Sequence, residues 1–102
     1  MERELRDILK TGKDWEKFKT MTPGLRICKI PGRGSNLPTL AVLVNPADSS
    51  GNPTKKKDLY VRSISELEEF RNLMNSEKIE EIIAVVDTIN KEFIQDERVL
   101  DI

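Results

Sequence analysis

The stretch TLAVLVN, residues 39–45, is the clearest strand signal in the chain. It is short and almost continuously apolar, which is typical of a strand that is covered on both faces. We expect a helix to cover one face and a partner subunit to cover the other. The sequence on either side of this strand decides the fold class.

The residues before this strand predict two more strands. Residues 25–30 (LRICKI) alternate between apolar and other side chains, a period of two that indicates a half-buried strand. Residues 15–20 fit a helix or a strand. We favour a strand, because Pro23-Gly24 has the turn chemistry that would join the two segments as a hairpin.

Residues 58–62 predict a fourth, short strand, and helical patterns flank the four strands. Residues 1–11 predict a short N-terminal helix. The residues after that strand carry apolar side chains at helical spacing with acidic residues between them. Ser63 with Glu66 has the pattern of a capping box, Ser65 with Glu68 offers a second register, and Asn75-Ser76 allows a break, so one bent helix and two helices both remain open.

The order of these elements predicts an α+β fold. We expect a four-stranded antiparallel meander sheet, covered by C-terminal amphipathic helices and preceded by the short N-terminal helix. The length of 102 residues indicates a single domain. It comprises the helix at residues 1–11, a basic β-sheet region at 15–62, an acidic helical region at 63–92 and a frayed tail at 95–102.

The composition excludes several classes of site. The chain has no histidine and one cysteine, which leaves no intramolecular disulfide, no transition-metal site and no Cys–His or Ser–His nucleophile pair. We therefore expect no metal, no cofactor and no catalytic activity. The charged N-terminus and the short apolar runs predict a cytoplasmic protein with no leader peptide and no membrane partner.

Charge is segregated along the chain although the total is near neutral. Residues 1–62 hold 13 basic and 7 acidic side chains, whereas residues 63–102 hold 4 basic and 11 acidic ones. Such segregation indicates a protein that attracts a polyanion at one place and repels it at another. The basic residues coincide with the predicted strands and their loops, so the sheet is the expected contact surface.

The candidate site residues follow from this distribution. Lysine and arginine side chains can displace counterions from a nucleic-acid backbone, and aromatic rings beside them can stack on bases. The candidates for nucleic-acid binding are Lys17, Lys19, Arg26, Lys29, Arg33, Lys55, Lys56, Lys57 and Arg62, with Trp15 and Tyr60 for stacking. The candidates for a dimer or partner interface are Phe70, Leu73, Ile79, Ile82, Ile83 and Val86.

Residues 15–73 resemble the transcriptional coactivator family of positive cofactor four. The resemblance rests on the apolar strand at 40–44, the Asp- and Gly-containing turn at 48–51, Pro53 with the lysines at 55–57, the short strand at 59–61 and the Ser-started helix at 63–73. It implies a curved four-stranded sheet, a homodimer built through the helix, and single-stranded DNA held on basic and aromatic residues. This chain has Asp58 where the family has glycine, and it adds helices at both ends.

The sequence therefore predicts binding of single-stranded DNA or RNA with little sequence specificity, by a homodimer, in transcription or DNA maintenance. The alternative is a protein–protein adaptor that docks through the apolar face of the C-terminal helix. An exposed Ile/Val stripe on a monomer would favour the adaptor, and a dimer that buries the stripe would favour the nucleic-acid binder.

Overall fold

A computed structural model describes the backbone of residues 1–95 and the side chains of residues 1–92. The elements in chain order are α1 (Glu2–Thr11), β1 (Lys17–Lys19), β2 (Leu25–Ile30), β3 (Thr39–Val44), β4 (Leu59–Val61), α2 (Ile64–Met74) and α3 (Glu77–Gln95). The four strands form one antiparallel sheet in the order β1-β2-β3-β4. The predicted α+β class, the meander and the short N-terminal helix are confirmed.

The Pro23-Gly24 turn joins β1 to β2 as expected. The Leu25 amide donates a hydrogen bond to the Thr22 carbonyl at 3.1 Å, and Gly24 has a φ of +91°. A Cβ at Gly24 would also lie 3.1 Å from the carbonyl oxygen of Asn45, so the turn requires glycine for both its backbone angle and its close packing. The choice of a strand over a helix for this segment is therefore confirmed, although β1 is short.

The strand register sorts the side chains onto two faces, because residues directly opposite each other share a face. One face carries Lys17, Lys19, Arg26 and Tyr60, and we call these four side chains the basic face. The other face, which we call the apolar face, carries Phe18, Leu25, Ile27, Leu40, Val42, Val44, Leu59 and Val61.

The most deeply buried side chains lie on the same side of the sheet as the basic face. Cys28, Ala41 and Leu43 are each at most 1% exposed, and Tyr60 packs against them. In the register, Lys17 lies opposite Cys28 and Arg26 lies opposite Leu43, so the core and the basic groups share one side of the sheet.

The apolar face is only partly covered within the first 67 residues. Leu5 of α1 and Ile64 and Leu67 of α2 line an open groove with apolar-face residues, and the groove has a volume of about 310 Å³. Val42 remains 37% exposed. The groove on this side is thus bounded by α1 and the first turn of α2, whereas the sequence interpretation assigned the cover to the C-terminal helices and a partner subunit.

Two capped helices follow the sheet. The Ser63 hydroxyl accepts the amide of Glu66 at 3.1 Å at the start of α2, and the Ser76 hydroxyl accepts the amide of Ile79 at 3.2 Å at the start of α3. The question that the sequence leaves open is thereby answered, because a second cap at Ser76 starts a new helix. The helix that follows extends to Gln95, and most of the predicted tail lies outside the described residues.

The chain divides into two compact units, one formed by residues 1–67 and one that begins at Glu68. The sheet, α1 and the first turn of α2 belong to the first unit, and α3 belongs to the second. No helix among the described residues combines the length and the apolar character needed to cross a bilayer.

Candidate nucleic-acid interface

The hairpin of β1 and β2 brings three of the candidate cations together. Lys19 lies directly opposite Arg26, and Lys17 lies opposite Cys28, one place along the same face. Tyr60 lies opposite Leu43, which in turn pairs with Arg26 across β2 and β3. Three of the cations expected to contact phosphate thus share a surface with Tyr60, one of the two rings expected to stack on bases.

Asp58 lies at the centre of this surface and binds two of its cations. Its Oδ2 accepts Lys17 Nζ at 2.9 Å, and its Oδ1 accepts both Arg26 Nη2 and Asn45 Nδ2, the latter at 2.8 Å. The Asp58 side chain is only 4% exposed, whereas that of Lys17 is 43% exposed. The carboxylate therefore lies beneath the cations and leaves parts of them in solvent.

The environment of Asp58 keeps it ionised. Burial by itself would raise the pKa of Asp58, but hydrogen bonds from Lys17 and Asn45 and the charge of Arg26 outweigh burial, and the pKa lies below its ordinary value. One negative charge then faces two positive ones at neutral pH. Asp58 thus fixes the positions of Lys17 and Arg26 while leaving the surface net positive.

Asn45 attaches the loop of residues 46–57 to the end of the sheet. This loop carries Lys55, Lys56 and Lys57, and we call it the lysine loop. Nδ2 of Asn45 donates to the carbonyl of Lys55 at 2.9 Å, and Oδ1 of Asn45 accepts the amide of Lys55 at 3.0 Å. Asn45 is 3% exposed, so these bonds are shielded from water. The same amide group also bonds to Asp58, which connects the loop to the basic face.

The rest of the lysine loop is ordered by hydrogen bonds to the Asp48 carboxylate and by a bond between backbone groups. Asp48 accepts the amides of Ser50 and Asn52, both at 2.9 Å, and Thr54 donates to the carbonyl of Pro46 at 2.8 Å. The Asp48 carboxylate is therefore bound to amides of the loop. Lys55, Lys56 and Lys57 are exposed and have no ion-pair partner among the residues that the structure describes.

A second group of candidates meets at the opposite end of the sheet. Trp15, Arg33 and Arg62 line one open cleft of about 720 Å³, which we call the Trp15 cleft. Ile30 and Thr39, paired at the ends of β2 and β3, also line it and belong to the side of the sheet that carries the basic face. The basic face and the Trp15 cleft therefore adjoin.

Lys29 is placed differently from the other candidates. It lies opposite Leu40, on the side of the apolar face, and is 9% exposed. Its Nζ donates to the carbonyl of Gly12 at 3.0 Å, just past the end of α1. This lysine satisfies a backbone carbonyl at the helix end, so we leave it out of the proposed contact surface.

The candidates for a protein interface lie on α2 and α3. Phe70 and Ile79 are half-buried, whereas Leu73 is exposed. Ile82, Ile83 and Val86 are each about half exposed, at 54%, 57% and 47%. Ile89 continues the same helical repeat with a similar exposure of 55%, although it is not among the interface candidates from the sequence.

Sequence reasoning missed Asp58 and Asn45 as organising residues. Both were visible as polar residues at the ends of predicted strands, and Asp58 was noted only as a replacement for glycine. The sequence did contain a signal for Asn45, because it directly follows a continuously apolar strand. A polar side chain buried at such a position needs hydrogen-bond partners.

Two further observations concern the thiol of Cys28 and the metal-ligating side chains of the described residues. Cys28 is fully buried, and burial raises the pKa of its thiol, which favours the unreactive protonated form. No cluster of three or more metal-ligating side chains occurs in the described part of the chain.

Comparison of the chain with family models, with curated proteins and with solved structures finds no match. The resemblance to the positive cofactor four family thus stays a prediction from element order and loop chemistry.

Proposed function

We propose that this protein binds single-stranded nucleic acid with little sequence specificity through the basic face and the lysine loop. The observation that carries the proposal is the register that places Lys17, Lys19 and Arg26 on one surface with Tyr60. Cations on a sheet beside an aromatic ring are the combination that single-strand binders use.

The electrostatics suit a phosphate backbone. Each lysine or arginine that contacts phosphate releases a condensed counterion, and this release supplies most of the affinity of non-specific binders. Lys19 and the lysine loop have no partner carboxylate among the described side chains, so they contribute full charges. Contacts of this kind read no bases, which accounts for the low sequence specificity.

The shape of the surface favours single strands over duplexes. Between Arg26 and Ile30 the face extends about 13 Å along β2 at the usual rise per residue. A flexible strand can follow this twisted surface with its bases turned toward Tyr60, whereas the bases of a duplex are already stacked on each other. The binding surface then continues at one end to Lys55–Lys57 and at the other to Arg62.

The assembly that we propose is a homodimer formed through α3. Ile79, Ile82, Val86 and Ile89 recur at spacings of three and four residues, which is the pattern of a coiled-coil seam. Such a seam is complementary to itself, as a two-fold dimer requires. The acidic side chains outside the seam would repel nucleic acid from α3.

The second candidate function is that of a protein–protein adaptor, which the exposure of the same stripe favours. An adaptor would present Ile82, Ile83 and Val86 to a larger assembly and would stay monomeric when alone. The molar mass in solution separates the two functions, because only the dimer buries the stripe between two copies.

A titration of fluorescein-labelled oligonucleotides tests the proposal. Fluorescence anisotropy is recorded for a 20-nucleotide single strand and for the corresponding duplex, at a low and a high salt concentration. We expect the single strand to bind more tightly than the duplex, with an affinity that decreases steeply as salt increases. A single strand that does not bind at low salt would rule the proposal out. A role in transcription or DNA maintenance is the corresponding cellular proposal.

A further inference from the structure

Trp15 has a backbone conformation that its side chain does not favour. Its φ is +65°, and it is the one non-glycine residue in the described chain with a positive φ. For a bulky side chain this left-handed conformation costs about 1–2 kcal/mol. Glycine would adopt it without cost, so the turn alone gives no reason for tryptophan at this position.

The surrounding backbone holds Trp15 in this conformation. Its amide donates to the carbonyl of Lys29 at 2.8 Å, which attaches it to the end of β2. The residues on either side form a closed turn, in which the Glu16 amide bonds to the Lys13 carbonyl and the Glu16 carboxylate accepts the Lys13 amide. The indole is therefore presented from a fixed position, and the residue is 50% exposed.

The groups that line the cleft together with Trp15 are of the kinds that recognise a nucleotide. Arg33 and Arg62 line the Trp15 cleft and have no ion-pair partner among residues 1–92. Asn36 and Thr39 add polar side chains to the lining. A cleft with an aromatic wall, two cations and hydrogen-bonding groups can hold a planar base together with its adjoining phosphates.

From this geometry we infer that the Trp15 cleft is a nucleobase-binding subsite, in which one unpaired base stacks on the indole while Arg33 and Arg62 contact the flanking phosphates. The inference rests on the proposed function, because the strand reaches the cleft along the basic face. It adds a second base-dependent contact, beside that of Tyr60, to a binding energy that is carried mainly by the phosphate backbone of the strand. This contact is available only to an unpaired base, so the subsite discriminates against duplexes.

The test compares two oligonucleotides that carry the same number of phosphates. One is a 12-nucleotide oligo(dT), and the other is a 12-unit strand of abasic sugar phosphates. The ratio of their dissociation constants isolates the contribution of the bases. We expect the full-length protein to bind oligo(dT) about 5- to 100-fold more tightly, as one or two stacked bases allow.

Two substitutions at Trp15 form a matched pair. Trp15→Leu keeps an apolar side chain on the strained backbone but removes the π face, whereas Trp15→Phe keeps a ring. Trp15→Leu should reduce the ratio several-fold by removing the stack on the indole, with the affinity for the abasic strand unchanged, and Trp15→Phe should keep most of the ratio. The unchanged abasic affinity also shows that the leucine variant is folded.

Fluorescence gives an independent measurement because Trp15 is the one tryptophan of the chain. Oligo(dT) should quench its emission, and the abasic strand should not. Equal affinity of the wild-type protein for the two strands, or an equal loss for both in Trp15→Leu, would overturn the subsite and leave the proposed function standing. Failure of the wild-type protein to bind either strand at low salt would overturn both.

Discussion

Asn45 donates a hydrogen bond from its Nδ2 to Oδ1 of Asp58 at 2.8 Å, and so joins the end of β3 to the start of β4. Through this bond the buried amide connects the lysine loop to the carboxylate that holds Lys17 and Arg26. The two residues thereby couple the stability of the sheet to the arrangement of its surface charges.

The first prediction is that Asp58→Asn has opposite effects on stability and on binding. The substitution leaves two cations without their carboxylate, which should lower the free energy of unfolding by about 1–3 kcal/mol. It also frees the charges of Lys17 and Arg26, so the slope of log K against log salt for a single strand should steepen by up to about 1.4. Urea unfolding and anisotropy measure the two effects.

Asp7→Asn is the matched control for this variant. Asp7 is an exposed residue of α1, and its substitution changes the net charge by the same amount without touching the sheet. It should leave stability and the salt slope close to those of the wild-type protein. An equal gain of affinity in both variants would assign the effect to net charge and contradict the role of Asp58.

The second prediction concerns acid. Because the folded state lowers the pKa of Asp58, this residue contributes stability at pH values above its unfolded pKa of about 3.9. That contribution is lost as the pH falls through the lower, folded pKa. The free energy of unfolding of the wild-type protein should therefore decrease more between pH 7 and pH 2.5 than that of Asp58→Asn. Equal decreases would contradict the lowered pKa.

The third prediction tests the attachment of the lysine loop. Asn45→Ala removes three hydrogen bonds and leaves the amide and carbonyl of Lys55 unpaired at a partly buried position. We expect a loss of about 1–3 kcal/mol in the free energy of unfolding and faster hydrogen exchange at the Lys55 amide. Asn52→Ala lies in the same loop, but the Asn52 side chain is exposed. This variant should change the free energy of unfolding by no more than about 0.5 kcal/mol and should leave the exchange rate at Lys55 nearly unchanged. Unchanged exchange at Lys55 in Asn45→Ala would show that the loop is held in another way.

Local sequence information was sufficient for most of the fold. The Pro23-Gly24 turn and the alternation in residues 25–30 predict the hairpin, and the hairpin places Lys19 beside Arg26. The caps at Ser63 and Ser76 act within three residues, so the sequence already offered both helix starts, although it left open a second register at Ser65 and a single bent helix through Ser76.

The organisation of the site was harder to predict because it depends on contacts between distant residues. Asp58 bonds to side chains 41, 32 and 13 positions away, and these partners meet only when the registers of three strand pairs are fixed. The left-handed backbone of Trp15 and the buried position of Lys29 have the same origin. Both follow from how residues 12–15 pack against the end of β2, which no local pattern encodes.

The fourth prediction concerns the homodimer. Ile82→Glu places a charge within the seam of α3, and it should convert a dimer into a monomer as measured by light scattering coupled to size exclusion. Thr88→Glu adds the same charge at an exposed position outside the seam and should leave the dimer intact. A wild-type protein that is monomeric at micromolar concentration would contradict the dimer and favour the adaptor.

The salt dependence of binding tests the central claim most directly. The slope of log K against log salt is measured by anisotropy with a single-stranded oligonucleotide, for the wild-type protein and for two triple variants. Replacing Lys55, Lys56 and Lys57 by alanine should flatten the slope by up to about 2, because three phosphate contacts are lost. Replacing Arg71, Lys78 and Lys91 by alanine removes the same charge from α2 and α3 and should leave the slope unchanged. Equal slopes for all three proteins, or binding that does not respond to salt, would contradict the account.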